Sequence, residues 1–425
     1  MTAALFIGSI LGSMAIGVPV AFALILCGVV LMLQQGMFDA QIVSQNLVGG
    51  ADSFQLLAVP FFLAAGEFMN AGGLSRRIVD LAVGLVGHFR GGLGYVAILA
   101  AVIMASMSGS AVADTAAIGA MLIPIMRQAG YRVNQSSGLI AAGGIIAPIL
   151  PPSIPFIIFG VTAGVSVKKL FLAGIVPGLA MAAALVATWW WLSRRDETLV
   201  TPKVPAAEVW RRFRDSLWAL AIPLLIVVGI KQGIFTPTEA GVVAAVYALV
   251  VGMFVYRELK PADLFGLMLN AGKTTAVVMF LVAAATVAAW MVTIAELPMM
   301  VIDLLEPLID RPILLMAVIM VVIVLVGMAM DLVPTILILA PVLMPLVKQA
   351  GIDPTYFGVM FIMNCAIGLI TPPVGTVLNV ICGVSRITMD DAVRGSWPFL
   401  LAYLALLALF TVFPSLVIVP MHWFM

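Results

Sequence analysis

The chain has 425 residues, 63% of them hydrophobic and only 10% charged, with a mean hydropathy of +1.20 and a formal net charge of +1. A soluble domain carries about 25% charged residues because its surface faces water. This composition excludes a large soluble globule, and the near-neutral balance gives no electrostatic case for nucleic acid.

A helical membrane span takes roughly 20 apolar residues, which leaves room for about a dozen helical segments. The first apolar run starts at the N-terminus, lacks the basic region of a secretory signal and continues to Leu33, too long for a cleaved segment. It reads as the first membrane segment, bent or broken at Gly17-Val18-Pro19. Further runs fall roughly at 54–72, 92–107, 111–126, 137–165, 170–193, 216–233, 238–256, 263–294, 298–308, 312–329, 332–347, 356–383 and 397–422. Several are short and bounded by Gly, Ser, Pro or Asp, which suggests re-entrant hairpins instead of full spans.

Among the polar residues of the first half, Glu67 and Asn70 are expected to line the protein interior or hold a partner helix, with a role in transport as the other reading. Arg76-Arg77 and Lys168-Lys169 read as interfacial anchors, and Trp189-Trp190-Trp191 suits an interfacial aromatic belt. The longest polar interruption, Ser193–Asp215, carries Arg194, Arg195, Lys203, Arg211, Arg212 and Arg214 and is expected to stay on the cytoplasmic side. It divides the chain nearly in half. Beyond it, Thr236, Pro237 and Glu239 read as the capped start of a helix. His88 and His422 suggest interfacial positions. Cys27, Cys365 and Cys382 sit in apolar runs without metal-ligand spacing and read as core filler.

The halves look related. Pro124-Ile125-Met126-Arg127-Gln128-Ala129-Gly130 matches Pro345-Leu346-Val347-Lys348-Gln349-Ala350-Gly351, and at the same offset of 221 residues Pro151-Pro152 meets Pro372-Pro373. Paired repeats with proline- or glycine-interrupted helices at equivalent positions point to the binding site of a secondary transporter. Inversion of the repeats would need an odd number of crossings per half, which the sequence alone leaves open.

Pro148, Pro151, Pro152 and Pro155 remove four backbone donors and break any helix through 142–160. The freed carbonyls need partners that lipid does not offer. A desolvated cation is one, with oxygens from Ser108, Ser110, Asp114 and Thr115 beside it; a proline kink sealed by neighbouring helices and water is the other reading. The second half repeats the arrangement at 368–383, beside Asp331 and Thr335. Asp114 and Asp331 are cation ligands or solvated turn residues, since an ionisable group inside the membrane is costly. Ser153, Thr376 and Asn379 follow the proline pairs and could bond a carboxylate or hydroxyl-bearing solute, or a neighbouring helix. No G-x-x-x-x-G-K-[ST] sequence is present, so P-loop ATP hydrolysis is excluded and energy must come from a gradient or another subunit. An intramembrane enzyme is disfavoured, because no histidine or lysine is placed to act as base for Ser110.

The stretches SGSAVADTAAIGAMLIPIMRQAGY, APILPPSIPFIIFG, FTPTEAGVVAA, MDLVPTILILAPVLMPL and FGVMFIMNCAIGLITPPVGTVLNV resemble the large membrane subunit of tripartite ATP-independent periplasmic (TRAP) transporters over essentially the whole chain. GADSFQLLAVPFFLAAGEFMNAGGLSRRIVDL is similar to members for sugar acids of the 2,3-diketo-L-gulonate type. The resemblance implies an all-α polytopic membrane protein of two inverted repeats, each with a re-entrant hairpin and a broken helix, working as an elevator with transport and scaffold domains. The expected division is a first repeat over 1–193, with its hairpin at about 92–128 and its broken helix at about 137–165. A basic cytoplasmic linker at 194–215 follows. The second repeat is expected over 216–425, with its hairpin at about 312–349 and its broken helix at about 356–383. The implied activity is sodium-coupled uptake of an organic acid. Its sodium ligands, by side chain or backbone carbonyl, carry over to Ser108, Gly109, Ser110, Asp114, Gly144, Pro151, Asp331, Thr335, Thr371 and Val374. Solute contacts are expected at Pro152, Ser153, Pro373, Gly375, Thr376 and Asn379. No nucleotide or organic cofactor is expected. The implied partners are a separate small four-helix membrane subunit and a periplasmic substrate-binding protein, in a bacterial inner membrane.

Overall fold

Proline and glycine set where the helices start and stop. The computed structural model describes residues 2–194 and 203–424; part of the basic linker, including Arg195, lies outside the described residues. The first apolar run is not one bent segment but two helices packed side by side, α1 (Thr2–Ala15) and α2 (Val20–Gln34). Gly17 takes a positive φ of 86° between them and Pro19 opens α2, so the helix cannot continue through.

Asp39 caps α3 (Ala40–Ala51) by accepting from Gln41 N at 2.7 Å. A single 3-10 turn (Phe54–Leu57), α4 (Ala58–Ala71) and α5 (Leu74–Val86) follow. Next come the antiparallel pair α6 (Gly92–Ser108) and α7 (Ala111–Gln128), the short α8 (Val133–Gly144) and α9 (Ile154–Ala163), and the long α10 (Val167–Ser193). The second half runs α11 (Ala206–Lys231), α12 (Pro237–Val250), α13 (Pro261–Ile294) and α14 (Leu297–Ile309). It then repeats a pair, α15 (Pro312–Gly327) and α16 (Leu332–Gln349), and two short helices, α17 (Pro354–Gly368) and α18 (Thr376–Ser385). It closes with α19 (Met389–Val412) and α20 (Ser415–Phe424). Thr236 opens α12 with a full capping box: its hydroxyl accepts from Glu239 N while the Glu239 carboxylate accepts from Thr236 N.

The chain is an all-helical, multi-pass membrane protein. Seven helical segments among the described residues are long and apolar enough to cross a bilayer. At 10 residues each, α9 and α18 are too short to cross alone. The helices pack in two groups that meet along α5 and α6 and along α13 and α16. In one, α4 lies on α12, α13 on α2 and α3, and α5 on α11. In the other, α8 lies on α19, α6 and α7 on α8, and α15 and α16 on α17. The two repeats interlock there, because α7 packs on α18 and α16 packs on α9.

The offset of 221 carries α7 onto α16 residue for residue, each 18 residues long. The halves differ elsewhere: α13 is one helix of 34 residues where the first half has α3, the 3-10 turn and α4. Arginines gather at one face. Glu258 bridges Arg76 and Arg77 at 2.8 Å each, Arg212 reaches the Asp80 carbonyl at 3.0 Å, and Tyr256 donates to the Asp215 carbonyl at 2.7 Å.

Candidate functional site

At the tip of the first hairpin, Gly109 adopts a positive φ of 62°, which lets the chain reverse between α6 and α7. Ser110 caps α7, its hydroxyl accepting from Ala113 N at 3.3 Å. The Ser108 hydroxyl accepts from Ser110 N at 3.1 Å and donates to Asp114 Oδ1 at 2.5 Å. Asp114 is only 2% exposed and Thr115 is fully buried. Asp114 Oδ2 and Thr115 Oγ1 have no hydrogen-bond partner. A small cavity beside Asp114 is lined by Asn70, Ser75 and Ser108, and Ser75 donates to Asn70 Oδ1 at 2.5 Å. Sequence reasoning missed Ser75, which carries no signal of its own beyond following Asn70 by five residues.

The tip rests on the break between α8 and α9. A Cβ on Gly144 would lie 1.9 Å from Thr115 Oγ1 and 3.0 Å from the Ala111 carbonyl. One on Gly109 would lie 2.7 Å from the Pro152 carbonyl. Glycine at both positions therefore permits backbone oxygens and side-chain oxygens to converge. Every residue from 142 to 160 is buried, including Pro151.

Two expected solute contacts, Ser153 and Pro152, are buried within the fold here. Ser153 is fully buried, donates its hydroxyl to the Pro148 carbonyl and accepts from Phe156 N at 3.2 Å. It caps α9 and satisfies a carbonyl freed by the prolines, so its donor is not available to a solute. Pro152 is buried against Gly109 and faces no open space.

The second tip differs. At the offset of 221, Ser110 corresponds to Asp331 and Asp114 to Thr335, so the carboxylate has moved from inside the first turn to the N-cap. Asp331 is exposed and accepts from Leu332 N at 2.8 Å. Thr335 is fully buried and donates to the Asp331 carbonyl at 2.8 Å. Thr371 donates to the Ile367 carbonyl at 2.8 Å, and the Val374 carbonyl accepts from Asn379 Nδ2 at 3.0 Å. Pro373, Val374 and Asn379 are exposed, while Gly375 is buried with a positive φ of 51°. Thr376 Oγ1 is the buried oxygen without a partner in this turn. Among the expected cation ligands of the second half, Asp331 and Thr335 bond one another, Thr371 is engaged by the Ile367 carbonyl, and the Val374 carbonyl by Asn379.

The donor set at the first tip fits a small monovalent cation. It offers one carboxylate and neutral hydroxyl and carbonyl oxygens, and no cluster of three His, Cys, Asp or Glu occurs among the described residues.

Residues 7–416 match the family model described as "Tripartite ATP-independent periplasmic transporter, DctM component". The chain is 61% identical, over all of both chains, to the 2,3-diketo-L-gulonate TRAP transporter large permease protein YiaN of Escherichia coli K12. It is 37% identical to the isethionate TRAP transporter permease protein DctMQ of Oleidesulfovibrio alaskensis, covering 95% of this chain and 64% of that one. Among solved structures it resembles the Alcanivorax borkumensis YdaH transporter with a TM-score of 0.64, at 16% identity over 90% of this chain and 91% of that one, a likeness of fold.

Proposed function

The chain belongs to the DctM component family of tripartite ATP-independent periplasmic transporters, and from that premise we propose that it drives sodium-coupled uptake of a sugar acid or related carboxylate across a bacterial inner membrane. The observation that carries the coupling is the pair of unpartnered buried oxygens, Asp114 Oδ2 and Thr115 Oγ1, at the tip facing the first proline break. A buried acceptor without a donor is costly. A bound cation would supply the countercharge that keeps Asp114 ionised in a low-dielectric interior. Ser108 orients the carboxylate by donating to Oδ1, so that Oδ2 is left to the ion. Gly144 lets the Thr115 hydroxyl approach.

The solute side of this reading is the second break, where Pro373, Val374 and Asn379 are open and Thr376 Oγ1 has no partner. The start of α18 adds backbone N–H groups suited to a carboxylate. The basic face, with Arg76, Arg77, Arg211 and Arg212, lies in the cytoplasm by the positive-inside rule. An elevator motion, in which the hairpins and broken helices slide against α2–α4 and α11–α13, is supported by the two packing groups. A periplasmic binding protein delivers the solute. The relative DctMQ extends well past the region matched here, which supports a further membrane part working with this one.

The test is uptake into proteoliposomes holding this chain with the small subunit and loaded binding protein. Accumulation is expected only with an inward sodium gradient. Equal accumulation with potassium alone would refute the coupling, and uptake of free solute by the chain by itself would refute the need for partners.

A further inference from the structure

A cavity of about 440 Å³ lies between the two packing groups, and none of the tip residues Ser108–Asp114 or Asp331–Thr335 lines it. Its walls are the C-terminal end of α3, the last third of α13, the last turn of α9 and the first half of α16. The volume falls in the usual range for small-molecule pockets, roughly 300–1,000 Å³. Its polar lining is Asn46, Ser53, Thr162, Thr286, Trp290 and Thr293, with no charged side chain. Thr286 and Thr293 donate to the carbonyls of Val282 and Ala289, at 3.1 and 3.0 Å, and retain acceptor lone pairs. Asn46 uses its amide N–H on the Ile42 carbonyl at 2.9 Å and keeps its side-chain oxygen. Ser53, Thr162 and Trp290 make no side-chain hydrogen bond among the described residues.

This polarity is not a requirement of the repeated fold. At the same offset of 221 in the other half, Thr286 corresponds to Ala65, Trp290 to Met69 and Thr162 to Gly383. A wall facing lipid or another helix would favour the apolar set. The cavity lies on the side away from the basic face: α9 leads from it toward Lys168, whose ammonium reaches the Lys231 carbonyl at the far end of α11.

We propose that this cavity is an outer subsite that holds the hydroxyl-bearing end of a polyhydroxylated organic acid before the solute reaches the breaks. The proposal rests on the transport function given above. Neutral donors and acceptors match alcohol groups, and the absence of a cation means that a carboxylate alone gains nothing there. A simple dicarboxylate without hydroxyls is therefore a poor occupant.

The test uses the complex with its small subunit and binding protein in vesicles, with 2,3-diketo-L-gulonate and succinate as probes. T162C is labelled from outside by a membrane-impermeant maleimide, with the parent chain as the background for Cys27, Cys365 and Cys382. The diketo acid at saturation is expected to slow labelling about threefold or more, and succinate to leave it unchanged. Trp290→Phe and Thr162→Val are each expected to raise KM for the diketo acid about three- to tenfold, mainly without loss of maximal rate, as removal of uniform binding does. Equal labelling with and without the diketo acid, in a complex that accumulates it, would overturn the subsite alone. So would failure of T162C to label from outside. Failure of the wild-type complex to accumulate any organic acid would overturn the transport reading and this subsite with it.

Discussion

Gly144 and Thr115 are in contact across the first hairpin and the first broken helix: a Cβ on Gly144 would stand 1.9 Å from Thr115 Oγ1. The main chain of α8 is thereby held against the one buried hydroxyl that lacks a partner beside Asp114. A methyl group there must push α7 and α8 apart, because the Ala111 carbonyl lies only 3.0 Å from the same point. Gly144→Ala is expected to raise the sodium concentration for half-maximal uptake about tenfold or more, a cost of roughly 1.4 kcal/mol at the site. Gly8→Ala, where nothing lies within 4 Å, is expected to leave it unchanged. Initial uptake rates over a sodium titration check both.

The two carboxylates should not behave alike. Asp114 is buried with one oxygen free, whereas Asp331 is exposed and caps α16 through Leu332 N. On the proposed coupling sodium should raise the Tm of the purified chain, and Asp114→Asn, which keeps the shape and removes the charge, should abolish that rise, since a ligand stabilises by mass action only where it binds. Asp331→Asn should keep most of that sodium effect and lower stability by about 0.5 kcal/mol, because asparagine caps nearly as well but loses its charge at the helix N-terminus. Thermal unfolding of each variant with sodium or with potassium separates the two outcomes.

The two breaks also differ in access. Residues 142–160 are buried throughout, while Pro373, Val374 and Asn379 are exposed. Single cysteines should show it: Val374→Cys is expected to react with a water-soluble maleimide at least about tenfold faster than Ile149→Cys, as the thiolate forms only where water reaches it. Similar rates at both positions would contradict the closed first break.

Much of this was legible in the sequence. The paired prolines, the matched segments around Arg127 and Lys348, and the polar residues between apolar runs mark where α6 to α9 and α15 to α18 start and stop, because each mark acts on its own backbone. What stayed hidden depends on partners distant in sequence. Ser153 reads as a free hydroxyl until the Pro148 carbonyl is seen beside it. Asp331 reads as the equal of Asp114 until the structure shows the first exposed at a helix cap and the second buried. The contact of Gly144 with Thr115 joins residues on different helices, and no periodicity records it. The division of the N-terminal run into α1 and α2 was a matter of geometry: Gly17 and Pro19 mark a break, but a break does not say whether the helix bends or folds back.

The last asymmetry concerns how the hairpins are anchored at their bases. Arg127 and Lys348 occupy the same repeat position, yet only Arg127 reaches across to the other half, donating to the Ser385 carbonyl at 2.8 Å. That carbonyl belongs to the C-terminal turn of α18, where Ser137 also donates to the Ser385 hydroxyl at 2.8 Å. A cation at a helix C-terminus that also bonds its last carbonyls contributes about 0.3–1 kcal/mol. It also ties the first hairpin to the second broken helix, so its loss should loosen the proposed solute side from the proposed cation side. Arg127→Met is expected to lower Tm by a few degrees and to weaken the dependence of uptake on sodium, whereas Lys348→Met should change neither, having no such bond to lose. If the two variants prove alike in sodium titrations, the bridge through Ser385 does not couple the repeats, and their coupling must run through the packing of α7 on α18 and of α16 on α9.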